Sequence, residues 1–247
     1  DVLAELQGKA LGNATVHDLL RMASGAAEQN GDSTIWTPEQ TKDWNQGLLN
    51  LAELIATDRI SRAARGAFSE YKPGEVFAYK STDPMTLGLM VSRATGMPLS
   101  QWIQEQVLNP MGAAHPGLYS QDRAKNGLGD SGMRLRMEDW MRFAVWVKES
   151  SKKSDCFGDF VKAAMAKQIG NDRNPAARKH GRMFGGYGYL MWTENTTAPG
   201  TAWATGWGGQ RIGWNYDNDR MVVVFSSREA WIPEVYELAR DWGQAQR

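Results

Sequence analysis

Cysteine and histidine are scarce in this 247-residue chain, which carries one cysteine, Cys156, and three histidines, His17, His115 and His180. A single thiol excludes an internal disulfide framework, and histidines so scattered leave no Cys/His cluster for zinc, so no metal site is expected. An excess of either charge is also missing. Lys+Arg and Asp+Glu both number 28, which selects neither nucleic acid, nor an anionic membrane, nor an acidic substrate. A small molecule is the expected partner. No apolar run approaches the ~20 residues that a bilayer crossing needs, and no charged-then-apolar leader stands at the start, so the chain reads as soluble. It begins without methionine, and Asp1 to Leu6 read as the interior of something longer.

What is present suffices for one sizeable core, with 42% hydrophobic residues, and one globular unit is the starting expectation. Thr15 followed by Asp18, Leu19, Leu20 and Met22, with Gly25 behind, predicts a capped short helix ended by glycine. Thr37-Pro38 opens a longer helical stretch with apolar Trp44, Leu48, Leu51 and Ile55. A third helix should run from Asp83-Pro84 to about Ala94, ahead of Gly96, and Ser100 should cap a fourth that stops before Pro110. Two more are predicted by helical spacing, over Met137 to Val147 (Met137, Trp140, Met141, Ala144, Val145) and Phe157 to Ile169 (Phe160, Val161, Ala164).

After Gly185 the period shortens. Tyr187 to Thr193, Thr201 to Thr205, Gln210 to Tyr216 and Arg220 to Ser226 predict an antiparallel meander, with Asp217-Asn218-Asp219 as a turn. Pro233, Val235, Leu238, Ala239 and Trp242 predict a closing amphipathic helix. Met221 to Phe225 is continuously apolar, which predicts a strand buried on both faces in mid-sheet. Gln210 to Tyr216 supplies one neighbour. The chain then turns helical, so the second neighbour is expected from a preceding segment or a pairing chain.

The chemistry gathers around a few motifs. Pro73-Gly74-Glu75-Val76-Phe77-Ala78-Tyr79-Lys80-Ser81 resembles the P-G-x-x-F-x-Y-x-N/S stretch of class C β-lactamases, D-alanyl-D-alanine peptidases, family VIII carboxylesterases and 6-aminohexanoate-dimer hydrolases. Thr15 to Gly25 is similar to the family's T-x-x-x-L-L-x-x-x-S-G. Leu87-Gly88 through Thr95-Gly96, Asn109-Pro110-Met111-Gly112, and Ser131-Gly132 with Met137-Glu138-Asp139 match later segments in order. Gly206-Trp207-Gly208-Gly209-Gln210 falls where the third active-site motif belongs. The resemblance implies an α/β fold of the β-lactamase/transpeptidase type, in which an antiparallel sheet is flanked by helices. A helical subdomain, roughly residues 15–182, would precede the meander of 183–247, with the active site between them and the family's N-terminal strands and nucleophile helix absent. It also implies catalysis without metal or organic cofactor, in a bacterial cytoplasm or periplasm.

In that family the nucleophile is the serine of S-x-x-K at the start of a helix, helped by the motif's lysine and by the tyrosine that Tyr79 matches. A free phenol has a pKa of about 10, so a nearby ammonium must favour phenolate before tyrosine can act as a base. Taken alone, Tyr79 reads first as an amphipathic core residue, and the resemblance reverses that order. Ser81 stands where relatives have an asparagine that contacts substrate. Its shorter reach points toward an esterase or linear-amide hydrolase, and its other reading is a helix N-cap. Trp207-Gly208-Gly209 replaces K-T-G or H-x-G, which removes a cation that would anchor a substrate carboxylate. By family position the Gln210 N–H is one of two oxyanion donors; the other reading of the segment is a glycine-rich strand bend. The tryptophans read first as core and cleft lining, with an acyl pocket using Trp192, Trp203 or Trp207 as the second reading.

Two other S-x-x-K matches, Ser69 to Lys72 and Ser150 to Lys153, fall in a loop and in a polar run, Lys148 to Asp155, that reads as solvated surface. Gly129-Asp130-Ser131-Gly132 with His115 has a trypsin-like look, yet trypsin-like enzymes spread these residues over separate barrels. The expected function is a serine hydrolase acting on an ester or linear amide. The competing reading is a binding protein that has kept the fold without the nucleophile.

Overall fold

A computed structural model describes residues 2–7, 11–25, 71–122, 124–171, 183–206, 208–226 and 241. The helix expected over residues 37–55 lies outside these, as does that over 233–242 except for residue 241. The chain divides into two compact units, Asp1–Leu135 and Arg136–Arg247.

In the first unit, helix α1 (Val16–Leu20) starts at the predicted capping box. The Thr15 hydroxyl accepts the Asp18 N–H at 3.2 Å, and the Asp18 carboxylate accepts the Thr15 N–H at 2.9 Å, which satisfies two otherwise orphaned donors. Burial pushes the Asp18 carboxyl up, but hydrogen bonds from Thr15 and the Arg21 guanidinium, 2.8 Å away, outweigh it and hold the group below its ordinary value. A depressed folded-state pKa contributes stability above the unfolded value of 3.8. That stability is lost as pH falls through the folded value. Thr15→Ala should therefore cost about 1 kcal/mol in denaturant unfolding, and Asp18→Asn should flatten the acid limb of the stability curve below about pH 4.

Helix α2 (Thr82–Thr95) ends on Gly96 in the left-handed conformation, φ 68°, as the sequence predicts. Helix α3 (Leu99–Ile103) follows Pro98, not a Ser100 cap, and continues as a π-helical turn over Gln104–Leu108. Ser100 is inside the helix because the fixed φ of Pro98, −56°, already suits the position before the first turn. A short hairpin of β1 (Leu118–Tyr119) and β2 (Met133–Arg134) completes this unit. Its core is Leu3, Leu6, Leu11, Leu19, Met85, Leu89 and Leu128.

The second unit is a six-stranded antiparallel sheet in the order β3 (Ile169–Gly170), β4 (Phe184–Tyr187), β5 (Trp192–Asn195), β6 (Thr201–Thr205), β7 (Arg211–Asn215), β8 (Met221–Val224). Helices α4 (Met137–Ser151) and α5 (Cys156–Met165) pack on it through Ala144, Val147, Val161 and Met165 against Ala202, Ile212 and Trp214. These two helices, read from the sequence as part of a helical subdomain, belong by packing with the sheet. The stripe that packs is shifted from the predicted one: Met137, Met141, Val145 and Phe160 are exposed. The mixed α/β class with an antiparallel meander is as expected. The run read as one strand over Tyr187 to Thr193 is instead the reversal between β4 and β5, where Leu190 adopts φ 56°.

The strand with every residue buried is β7, not β8, whose residues are all half-buried. Arg211 and Asn215 gave β7 a polar look, and both are buried with their polar atoms hydrogen-bonded. Among the described residues β8 pairs with β7 alone. The expectation that the second neighbour of this strand comes from a preceding segment or a pairing chain predicts that the 247 residues made alone self-associate in size-exclusion chromatography with light scattering. A monodisperse monomer would contradict the open-edge reading. The Lys148 to Asp155 run is not wholly solvated: Lys148 is buried with Nζ donating to the Asn215 carbonyl at 2.7 Å, and Ser150 is buried at the end of α4.

Candidate active site

Tyr79 and Ser81 are delivered by an extended segment that follows the Pro73-Gly74 turn and runs into α2. Gly74 has φ +85°, and a Cβ there would stand 2.9 Å from the Asp18 carboxylate, so only glycine fits the turn. The segment is then tied to the chain after α1. The Gly74 N–H donates to the Ala23 carbonyl at 2.7 Å and the Ala78 N–H to the Met22 carbonyl at 2.9 Å. The two motifs that the sequence separates by fifty residues are thus one local structure.

Burial changes sharply along it. Phe77 is 1% exposed and Lys80 1%, whereas Tyr79 is 40% exposed, which decides against a buried core role for the phenol. Ser81 occupies the position before α2 in a helical conformation and makes no capping hydrogen bond, so its hydroxyl is not spent on the helix. It hydrogen-bonds the Asp130 carboxyl, which Ser131 also contacts at 3.1 Å. Burial pushes Asp130 above the usual carboxylate range, against both hydrogen bonds. The neighbouring Tyr119 phenol is pushed up to about 12 by burial and by the charge of Asp130, and donates to the Leu128 carbonyl at 2.8 Å. Asp130, seen in the sequence only as part of a trypsin-like pattern, is thus a partner of Ser81.

The third motif forms the β6–β7 reversal in the second unit. The Gly209 N–H donates to the Gly206 carbonyl at 3.2 Å and the Gly206 N–H to the Gln210 carbonyl at 2.9 Å. Gly208 and Gly209 have φ of 88° and 91°, values in the left-handed region that a Cβ would strain. The bend reading is thereby met as far as the backbone goes. Neither closing bond uses the Gln210 N–H. The Gln210 side chain donates to the Ser226 carbonyl at 2.8 Å, across to the chain beyond β8. Arg211, 4% exposed, donates to the carbonyls of Gly206 and Gln210 at 3.0 and 2.6 Å. Trp207 lies outside the described residues. Trp192 and Trp203 are buried, Trp203 with its indole N–H on the Thr201 hydroxyl at 2.7 Å; they are core, not the lining of an open acyl pocket.

Comparison with known proteins now decides the family, because the Beta-lactamase family model matches residues 1–247. The chain belongs to the beta-lactamase family. This beta-lactamase-family chain resembles the octameric penicillin-binding protein homologue from Pyrococcus abyssi at TM-score 0.64 and 20% identity, over 92% of its own length and 55% of that chain. It matches the "Putative 6-aminohexanoate-dimer hydrolase from Bacillus anthracis" at TM-score 0.65 and 18% identity, over 96% and 62%. A 46-residue segment is 39% identical to the "Putative D-alanyl-D-alanine carboxypeptidase" of Escherichia coli (strain K12), covering 19% of this chain and 11% of that protein. The chain thus spans a little over half the length of these solved structures. Both structural likenesses show a β-lactamase/transpeptidase-like fold.

Among the described residues no group of three or more His, Cys, Asp and Glu side chains could hold a metal ion, and no helix is long and apolar enough to cross a membrane. Ser24 has the look of a nucleophile, with its hydroxyl 2.6 Å from Asp83, but it is 1% exposed and closed to substrate. Ser150 of the second S-x-x-K match is equally buried and ends a helix where the motif should begin one. Ser69 of the first lies outside the described residues.

Proposed function

We propose that this chain is part of a serine hydrolase that cleaves an ester or a linear amide through an acyl-enzyme, with the S-x-x-K nucleophile supplied from outside these 247 residues. Tyr79 is the general base, Ser81 a substrate contact, and the Gln210 N–H an oxyanion donor beside the Trp207-Gly208-Gly209 segment. The observation that carries the reading is the exposure of Tyr79, two residues before a Ser81 hydroxyl that makes no capping bond to the helix it precedes.

The substrate class follows from charge. The K-T-G lysine has no counterpart in Trp207-Gly208-Gly209. The nearest cation in sequence, Arg211, is buried with its guanidinium on main-chain carbonyls, so it is no open anchor for a substrate carboxylate. A charge-assisted hydrogen bond is worth about 1.5–3 kcal/mol, and its loss weighs against penicillin-like substrates. Ser81, with its hydroxyl on Asp130, keeps lone pairs to accept a substrate amide N–H.

The test compares kcat/KM of the full-length protein on a p-nitrophenyl ester, a linear 6-aminohexanoate dimer and a chromogenic cephalosporin. The ester or the linear amide should exceed the cephalosporin by about tenfold or more. A cephalosporin preferred over both would refute the substrate class.

A further inference from the structure

Behind Tyr79 and Ser81 lies a buried charged cluster that the proposed chemistry leaves unused. The Lys80 and Asp83 side chains are both 0% exposed, with Nζ 3.6 Å from Oδ2. Lys80 Nζ also donates to the carbonyls of Ala78 at 3.0 Å and Met22 at 3.4 Å. The Asp83 carboxylate accepts the Ser24 hydroxyl at 2.6 Å and the Ser24 N–H at 3.3 Å. Burial pushes the Asp83 carboxyl up, against the charge of Lys80 and the Ser24 hydrogen bonds. Met22 takes a left-handed φ of 51°, uncommon for a non-glycine residue, and its carbonyl receives both the Lys80 ammonium and the Ala78 N–H.

A buried ion pair is a poor device for stability, because desolvating two charges consumes most of what their attraction returns, and an apolar pair of the same volume does as well. Its placement suggests a different use. The Ala78 carbonyl belongs to the peptide that enters Tyr79, and Lys80 is the residue that leaves it. The ammonium therefore grips the backbone on both sides of the phenol, and Asp83 holds that grip to Ser24. Lys80 is turned inward and buried, while Tyr79 beside it is exposed and Ser81 half-buried.

We infer that Lys80 is a positioning residue: with Asp83 and Ser24 it locks the Ala78–Ser81 backbone to the Met22–Ser24 turn and so fixes the direction in which Tyr79 and Ser81 are presented. This rests on Tyr79 being the base. A displacement of about 1 Å at a catalytic group can cost on the order of 10²-fold in rate, so the lock should be read in kcat more than in KM.

The decisive variant in the full-length protein is Lys80→Met/Asp83→Asn, which removes both charges together and leaves an asparagine able to bond Ser24. It should melt close to the parent and keep KM within about threefold, yet lose at least about tenfold in kcat. Lys80→Met alone, which strands a buried carboxylate, should melt well below both. A double variant with parental melting and kcat within threefold of the parent overturns the lock. Should the double variant not fold, Ser24→Ala, which keeps both charges, decides instead: a fall in kcat of threefold or more supports the lock and a smaller one overturns it. Tyr79→Phe run in parallel separates the two ideas, since unchanged kcat there refutes the base assignment whatever Lys80 does.

Discussion

Tyr79→Phe lowers kcat of the full-length protein by at least about 10²-fold while leaving folding nearly intact. The substitution removes one oxygen from a side chain that is open to solvent, so no packed core is cut. Phe77, two residues earlier and buried, keeps the segment anchored. General-base help contributes about 10²–10⁴-fold, and a phenylalanine can supply none of it. Activity within a few-fold of the parent would take Tyr79 out of the mechanism.

Local signals made much of the fold legible. Thr15 and Asp18 specify their helix start because the capping box is a pattern of residue types three apart, and Gly96 ends α2 because only glycine adopts the left-handed C-terminal position without strain. The meander order of β6, β7 and β8 was readable from period and turn residues. Burial was harder. Met221 to Val224 is apolar throughout and yet half-buried, since among the described residues it has one ladder partner. Arg211 to Asn215 is fully buried despite its polar ends, because main-chain carbonyls satisfy Arg211 and side chain-to-backbone bonds satisfy Asn215. Hydropathy reports neither neighbour count nor polar satisfaction.

The candidate site divides the same way. Tyr79, Ser81 and Gln210 are proposed from motif order, and the positive φ of Gly208 and Gly209 gives their glycines a backbone reason. The residues that hold them were not readable. Asp130 reaches Ser81 from a loop about fifty residues on, and Ser24 reaches Asp83 across fifty-nine. The one sequence-level hint was a lysine and an aspartate three apart at a helix start, Lys80 and Asp83, a spacing far more often found on a solvated surface.

The central claim concerns the nucleophile, and active-site labelling tests it most directly. A fluorophosphonate modifies serine stoichiometrically only where a base and an oxyanion hole are assembled around it. Ser24 and Ser150 are buried, and Ser81 is engaged with Asp130 and serves substrate contact in this account. Residues 1–247 alone should therefore remain unlabelled in intact-mass spectrometry. The full-length protein should take up one label per chain, at the serine of an S-x-x-K motif outside these residues, and Ser→Ala at that position should abolish it. Stoichiometric, activity-linked modification of any serine within residues 1–247 would contradict the account.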